Sequence, residues 1–176
     1  NLREAAMHSC NVAFVNIGLQ VGAEAFYNYV EAFGLWNKTG IDLAGETSTR
    51  GLWWSDEVFK DPNNLSQLAA ASFGQTFNVT PIQMITAVAA AVNGGYLMEP
   101  YLVSEITDAS GEVIYSKEPT VVRQVISQET SALISNILDS VVNEEGGTGS
   151  NAAVAGYSIG GKTGTTTKTA LEAQGI

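Results

Sequence analysis

The residues of this sequence that could carry chemistry concentrate in a glycine-rich segment late in the chain. Residues 156–163, Gly-Tyr-Ser-Ile-Gly-Gly-Lys-Thr, match the phosphate-loop pattern G-x-x-x-x-G-K-T at every position. In such a loop Lys162 would contact the terminal phosphates of a nucleotide, and Thr163 a magnesium ion. The motif requires a buried strand before it and a helix after it, yet residues 149–155 are small and polar, and residues 164–169 are rich in threonine, a weak helix former. The context therefore disfavours a nucleotide site.

The same segment can instead be interpreted as an extended edge strand over residues 157–167. Its glycines would let another backbone approach closely, and its β-branched threonines favour extension. On such a strand Lys162 and Thr163 offer a cation and a hydroxyl, which suit a docking carboxylate. A solvated strand without a site is the default interpretation of Lys-Thr-Gly taken alone.

Hydrophobic spacing and capping residues predict the elements that would position this segment. The clearest helix start is Thr80-Pro81-Ile82-Gln83, where a capping box and a proline at the first helical position coincide. The predicted helices are residues 2–20 with an interruption at 9–11, 23–33 ending at Gly34, 65–72, 81–92, and one that begins at Ser127. Two strands, 101–107 and 112–115, are predicted on either side of a turn at 108–111, and a short strand at 157–159. The predicted class is α+β, mainly helical.

Composition and charge exclude several other classes of protein. The chain has 176 residues, 45% of them hydrophobic, and a net charge of −10 with eight scattered basic residues, so we expect no nucleic-acid partner. The longest apolar stretch, Ile85–Val92, is far too short to span a bilayer. One cysteine and one histidine exclude an internal disulfide and a Cys/His zinc site, and we expect neither a metal nor a cofactor. The start without methionine suggests a piece of a longer protein.

Two motifs and the sequence between them resemble a known enzyme family. Lys-Thr-Gly is one of three short motifs of serine acyl-transfer enzymes that act on penicillins and cell-wall peptides, and Ser9-Cys10-Asn11 fits a second, Ser-x-Asn, in the expected order. The further resembling segments are Thr39–Leu43, Ala71–Met84, Ala91–Gly95, Gly147–Gly149 and Gly160–Thr165. Together they resemble, over nearly the whole chain, the transpeptidase domain of class B penicillin-binding proteins, the cell-division and sporulation type.

The resemblance implies a β-lactamase/transpeptidase-like fold, with helices against an antiparallel sheet. Residues 1–176 would form part of one such domain, truncated at both ends. The implied enzyme is a peptidoglycan D,D-transpeptidase, whose partners are stem peptides and β-lactams. It would act at the extracytoplasmic face of the bacterial membrane, with an N-terminal anchor that this sequence lacks.

The resemblance also assigns roles to residues of both motifs. Ser9 would relay a proton to or from the departing amine, and Asn11 would offer its amide to the substrate. Lys162 and Thr163 would hold the substrate carboxylate by charge and by a hydroxyl.

The resemblance also assigns roles to the two residues that follow Thr163. Gly164 would leave room for the substrate to pair along the strand. The backbone N–H of Thr165 would form half of an oxyanion hole, where one donor is worth roughly 3–4 kcal/mol.

One motif of the family is missing. No serine of the chain is followed three residues later by lysine, so the Ser-x-x-Lys nucleophile and its base are absent. We therefore expect this chain alone to be inactive, and an unpaired edge at 157–167 would favour dimerisation or strand exchange. The alternatives are a β-lactamase or β-lactam sensor of the same fold, a non-catalytic interaction module, and the nucleotide-binding protein considered first.

Several neighbouring residues are given structural rather than chemical roles. His8 is not expected to pair with Ser9, since adjacent helical residues point apart. Cys10 is expected to be a buried, inert thiol, and Trp53 and Trp54 to pack onto the domain. The block Phe73–Met84 is expected to matter for recognising the family rather than for chemistry.

Overall fold

The computed structural model describes residues 1–164, which combine seven α-helices with four short strands. The helices are α1 (Leu2–Met7), α2 (Asn11–Val21), α3 (Ala23–Ala32), α4 (Asp56–Lys60), α5 (Leu65–Ser72), α6 (Pro81–Val92) and α7 (Gln128–Asn143). The strands are β1 (Tyr96–Met98), β2 (Glu105–Thr107), β3 (Val113–Ser116) and β4 (Val121–Gln124), and short 3₁₀ turns cover Arg50–Leu52 and Ser150–Ala152. The predicted α+β, mainly helical class is confirmed. None of the helices within residues 1–164 has both the length and the apolar composition of a membrane span.

The strands form two separate antiparallel pairs, β1 with β4 and β2 with β3. The predicted hairpin is confirmed as β2–β3, and its turn is held by Asp108, whose carboxylate accepts from the backbone N–H groups of Ser110 and Glu112. Its first strand begins only at Glu105 because the N–H groups of Leu102 and Val103 donate to the carboxylate of another residue, Asp42, at 2.7 and 2.9 Å. The pairing of β1 with β4 was not predicted.

Helix α6 begins with the predicted capping box. The Thr80 hydroxyl accepts from the N–H of Gln83 at 3.2 Å, and the Gln83 side-chain oxygen accepts from the N–H of Thr80 at 2.8 Å. Gln83 is completely buried, and its amide also donates to the carbonyl of Asn37 and accepts from the Thr49 hydroxyl. The cap therefore also ties the helix to the long loop that follows α3.

The larger hydrophobic cluster is rich in aromatic residues and includes two tryptophans of that loop. Its buried members are Tyr27, Val30, Trp36, Trp53, Phe59, Leu68 and Ala71. Trp53 is buried as predicted and stacks on Phe77, with ring centroids 4.3 Å apart. Trp54 is 37% exposed, so the prediction that both tryptophans pack onto the domain is wrong for Trp54. Trp53 is extended, and successive side chains of extended backbone point to opposite sides.

A smaller hydrophobic cluster joins α1 to α7. Ala6 and Met7 of α1 pack against Val141 of α7. Arg3 adds a hydrogen bond from its Nε to the Ser140 hydroxyl at 2.6 Å and an ion pair with Glu144. The end of α1 is thereby fixed beside the second half of α7.

Candidate functional site

A cleft of about 1060 Å³ contains most of the residues proposed for chemistry from the sequence. On one side it is lined by Ser9 and Asn11 together with Thr148, Lys162, Thr163 and Gly164; on the other by Ser72–Gln75, Phe77–Val79 and Met84, with Phe14 also contributing. The structure thus brings Ser-x-Asn and Lys-Thr-Gly together from opposite ends of the chain. Thr165 lies outside the described residues.

Ser9 occupies a special backbone position directly after α1. The N–H of Cys10 donates to the carbonyl of Ala5, and the N–H of Ser9 donates to the carbonyl of Ala6, which is the Schellman arrangement that ends many helices. In this motif the residue just after the helix cap adopts a left-handed conformation. Here that residue is Ser9, with φ +50°. This tight turn is the predicted interruption between α1 and α2.

The same arrangement ends α3 and α5, but with glycine at the left-handed position. Gly34 follows α3 with φ +76°, and Gly74 follows α5 with φ +86°. Gly34 thus lies one residue beyond the capping residue Phe33, as the helix-ending signal predicted. A left-handed conformation costs a non-glycine residue roughly 1–2 kcal/mol. Ser9 therefore lowers the stability of the folded state, whereas Gly34 and Gly74 adopt the same conformation without this penalty.

The side chain of Ser9 contacts Lys162 in the cleft. The Lys162 ammonium donates to the Ser9 hydroxyl oxygen at 2.7 Å. An ammonium has no acceptor, so the hydrogen of the Ser9 hydroxyl is directed away from Lys162 and is free for another group. Although Lys162 as a residue is exposed, burial of its ammonium lowers its pKa, which makes the proton easier to share.

Thr163 completes a row of polar groups beside Lys162. The Lys162 ammonium also donates to the Thr163 carbonyl at 3.0 Å and to the Thr163 hydroxyl oxygen at 3.2 Å. The Thr163 hydroxyl lies 3.2 Å from the hydroxyl of Thr148. A positive charge and hydroxyls side by side form a site suited to an anionic oxygen ligand.

The Lys-Thr-Gly segment is held by α7 rather than by a neighbouring strand. The N–H of Gly161 donates to the carbonyl of Leu138, and the Asn143 amide donates to the carbonyl of Ile159 at 3.0 Å. The predicted strand at 157–159 and its extension to residue 164 are therefore wrong, because these backbone groups bond to α7 and residues 157–164 join neither of the two strand pairs in the described part of the chain. Residues 165–167 of the predicted strand lie outside the described range.

The phosphate-loop interpretation also lacks its first requirement. Residues 149–155 contain a 3₁₀ turn and no strand, and the helix that should follow Thr163 would lie outside the described residues. The structure instead turns Lys162 toward Ser9. In residues 1–164 no three His, Cys, Asp or Glu side chains converge as a metal site.

The residues that flank Ser9 differ in exposure and position. Asn11 is the first residue of α2, is exposed, and its amide makes no hydrogen bond within residues 1–164. Cys10 is exposed, so the prediction of a buried thiol is wrong; as the extended residue between two helices it lies outside both packed faces. His8 is exposed and does not line the cleft.

The opposite wall was not predicted to be part of the site. Phe73, Gln75 and Asn78 line the cleft on the loop between α5 and α6, and the Phe77 ring fixes this loop to the core through Trp53. Phe73–Met84 is expected from the sequence to matter for recognising the family rather than for chemistry, and the structure adds that several of its residues line the cleft. The sequence did contain one indication of this wall, namely polar and aromatic residues in an irregular segment before a well-capped helix, since binding residues are often found on loops. Hydrophobic periodicity detects helices and strands and does not reveal such a loop.

Comparison with known proteins gives consistent matches. A family model described as the penicillin binding protein transpeptidase domain matches residues 1–176. Stage V sporulation protein D of Bacillus subtilis is 45% identical over 166 residues, which cover 94% of this chain and 24% of that protein.

Solved structures give the same match in three dimensions. The D,D-transpeptidase domain of a peptidoglycan glycosyltransferase from Eggerthella lenta has a TM-score of 0.80 and 31% identity, covering 96% of this chain and 42% of that one. Penicillin-binding protein 3 of Mycobacterium tuberculosis, complexed with aztreonam, has a TM-score of 0.79 and 28% identity, covering 92% of this chain and 36% of that one. The chain thus spans about a quarter of the Bacillus protein and less than half of either solved chain. The expected fold of helices with an antiparallel sheet is confirmed.

Proposed function

Because the chain belongs to the penicillin-binding protein transpeptidase domain family, we propose that it supplies the Ser-x-Asn and Lys-Thr-Gly side of a peptidoglycan D,D-transpeptidase site. In this reaction a serine attacks the peptide bond between the two terminal D-alanines of a stem peptide, D-alanine leaves, and an amine of a neighbouring strand then takes the acyl group. The observation that carries the proposal is the 2.7 Å contact between Lys162 and Ser9 inside a cleft that Thr163 and Asn11 also line.

Ser9 is proposed to deliver the proton that the leaving amine needs. When the carbon–nitrogen bond breaks, the Ser9 hydroxyl donates its hydrogen to the nitrogen, and the Lys162 ammonium replaces that proton through the bond it already donates to Ser9. The lowered pKa of Lys162 favours this transfer. The left-handed backbone of Ser9 is the conformational cost of placing this hydroxyl in the cleft.

The substrate's terminal carboxylate is proposed to bind at Lys162 and Thr163. The ammonium supplies charge and the hydroxyl supplies a directed hydrogen bond. Asn11, whose amide is exposed at the same cleft, is proposed to bind a substrate amide, while Gly164 leaves space for the extended peptide. Thr165 N–H is proposed as one of the two oxyanion donors.

The nucleophile is proposed to come from another part of the full-length protein. No Ser-x-x-Lys occurs in these 176 residues. Residues 1–176 are then one part of a larger transpeptidase domain, placed at the outer face of the bacterial membrane, and β-lactams react with it as mimics of the D-alanyl-D-alanine end.

Fluorescent-penicillin labelling tests this proposal. We expect the full-length protein to form a stable covalent adduct, and the 176-residue chain alone to remain unlabelled. In the full-length protein, Lys162→Ala should reduce the labelling rate at least tenfold, since it removes both the charge for the carboxylate and the partner of Ser9.

Lys38→Ala is the matched control, because Lys38 is an exposed lysine that does not line the cleft, and its labelling should equal wild type. Labelling of any serine in the 176-residue chain alone would contradict the proposal. Rapid release of hydrolysed penicillin by the full-length protein would identify a β-lactamase instead.

A further inference from the structure

The loop of residues 144–149 is held by backbone hydrogen bonds to residues of α1 and α7. The N–H of Thr148 donates to the carbonyl of Met7 at 3.0 Å, and the N–H of Gly149 donates to the carbonyl of Val141 at 3.0 Å. At Gly147 a Cβ would overlap the Val141 carbonyl oxygen and lie 2.9 Å from its carbon, so only glycine fits there. The backbone on either side of Thr148 is therefore fixed without help from its side chain.

The Thr148 side chain reaches the cleft and contacts one residue of Lys-Thr-Gly. Its hydroxyl lies 3.2 Å from the Thr163 hydroxyl, which also accepts from the Lys162 ammonium at 3.2 Å. A threonine hydroxyl has one hydrogen and two acceptor positions. If Thr148 donates to Thr163, both acceptor positions of Thr163 are filled by Lys162 and Thr148, and its single hydrogen must point elsewhere.

We propose that Thr148 is a positioning residue for carboxylate binding: it donates to the Thr163 hydroxyl oxygen and so commits the Thr163 hydrogen to the substrate carboxylate. The inference rests on the proposed function and names the residue that orients its carboxylate site. Donors in series also polarise one another, so the bond from Thr163 to the carboxylate is strengthened. Without the Thr148 hydroxyl, the Thr163 hydrogen can rotate toward other acceptors, and only ligands with a free carboxylate lose affinity.

The test uses the full-length protein and two ligands, a penicillin with a free carboxylate and its methyl ester. Thr148→Val removes the hydroxyl and keeps the branched shape, and Thr148→Ser keeps the hydroxyl. We expect Thr148→Val to slow acylation by the acid about three- to tenfold, the loss of one ordinary hydrogen bond, while acylation by the ester is unchanged. Thr148→Ser should retain the wild-type rate with both ligands.

A second substitution separates orientation from general loosening of the loop. In a Thr163→Val background there is no hydroxyl to orient, so adding Thr148→Val should cause no further loss with the acid. If Thr148→Val fails to fold, the pair Thr148→Ala and Thr148→Ser makes the same comparison, with thermal unfolding recorded for each.

Each other outcome overturns the inference in a recognisable way. An equal slowing of acid and ester by Thr148→Val would show that the hydroxyl pair only supports the loop. Additive losses in the Thr163→Val background would show that Thr148 acts independently of Thr163. Failure of the wild-type protein to react with either ligand would refute the proposed function itself, and the inference with it.

Discussion

Gly18 of α2 lies directly against Ser72 of α5. A Cβ on Gly18 would overlap the Ser72 hydroxyl and stand 2.7 Å from the Ser72 Cβ. Helix α2 begins with Asn11 on one wall of the cleft, and Ser72 lies on the other wall, next to the loop that follows α5. This close approach therefore joins two helices that each carry residues lining the cleft.

Gly18→Ala is expected to destabilise the protein. Rotation of the Ser72 hydroxyl cannot remove the clash with its Cβ, so α2 and α5 must move apart. Overpacking of this kind costs about 1–3 kcal/mol, whereas alanine gains only about 1 kcal/mol over glycine inside a helix. Because the overlap is severe, we expect a net loss of about 1–2 kcal/mol in the free energy of unfolding, measured by urea denaturation.

Two variants control this result. Gly51→Ala adds a Cβ that meets no heavy atom within 4 Å, and its stability should stay close to wild type. Adding Ser72→Gly to Gly18→Ala removes the opposing Cβ and should recover most of the lost stability beyond the cost of Ser72→Gly alone. A Gly18→Ala variant as stable as wild type would mean that the helices are not in close contact here.

Helix ends were the most predictable part of the fold. The start of α6 is marked by Thr80 and Gln83, and the end of α3 by Gly34. These residues act through hydrogen bonds or backbone conformations within a few residues, so the residue types alone predict where the helices begin and end. The break at Ser9 was predicted, but its left-handed conformation was not, since serine does not signal it.

Features that depend on distant partners were missed or predicted wrongly. β1 has only three residues and pairs with β4, more than twenty residues later in the sequence. The residues near β1 therefore predict neither the strand nor its register. Residues 157–159 have strand-forming types but bond to α7, since backbone partners decide strand formation. In the site, Ser9 and Lys162 were predicted by motif, whereas Thr148 became visible only through its contact with Thr163.

Ser9→Gly is expected to raise stability while it removes function. Glycine adopts the left-handed conformation without a Cβ penalty, as Gly34 and Gly74 already do at the ends of α3 and α5. Ser9→Ala keeps the penalty and equally lacks the hydroxyl, so Ser9→Gly should be more stable than Ser9→Ala by about 1 kcal/mol in thermal unfolding. Both variants of the full-length protein should lose about a hundredfold or more in the rate of penicillin acylation, as expected for loss of a proton-transfer group.

Gly74→Ser provides the reverse substitution. A Cβ at Gly74 meets no heavy atom within 4 Å, so Gly74→Ser changes stability only through the left-handed backbone. We expect this substitution to lower the free energy of unfolding by about 1 kcal/mol, the same size as the difference between Ser9→Gly and Ser9→Ala. If Ser9→Gly were less stable than Ser9→Ala, the backbone at Ser9 would not be strained.

The charge of Lys162 is expected to make folding stability depend on pH. Burial of the ammonium lowers its pKa from the ordinary value of 10.5. Below the lowered pKa the folded and unfolded forms both hold the proton, and the folded form bears the cost of burying the charge. Between the lowered pKa and 10.5 the folded form loses its proton first, so the unfolded form binds more protons and the free energy of unfolding rises with pH.

Comparison with Lys162→Met isolates this contribution, because other titrating groups cancel in the difference between the two proteins. The free energy of unfolding of wild type minus that of Lys162→Met should increase as the pH approaches 10.5, when measured by urea denaturation at successive pH values. Lys60→Met is the matched control of opposite sign. The hydrogen bond from Lys60 to Asp56 raises the pKa of Lys60, so its contribution is present below 10.5 and is lost as the pH rises through that raised pKa. A wild-type minus Lys162→Met difference that stays level or falls over this range would show that the Lys162 ammonium is not desolvated, and that Ser9 and Thr163 hold an ordinary solvated charge.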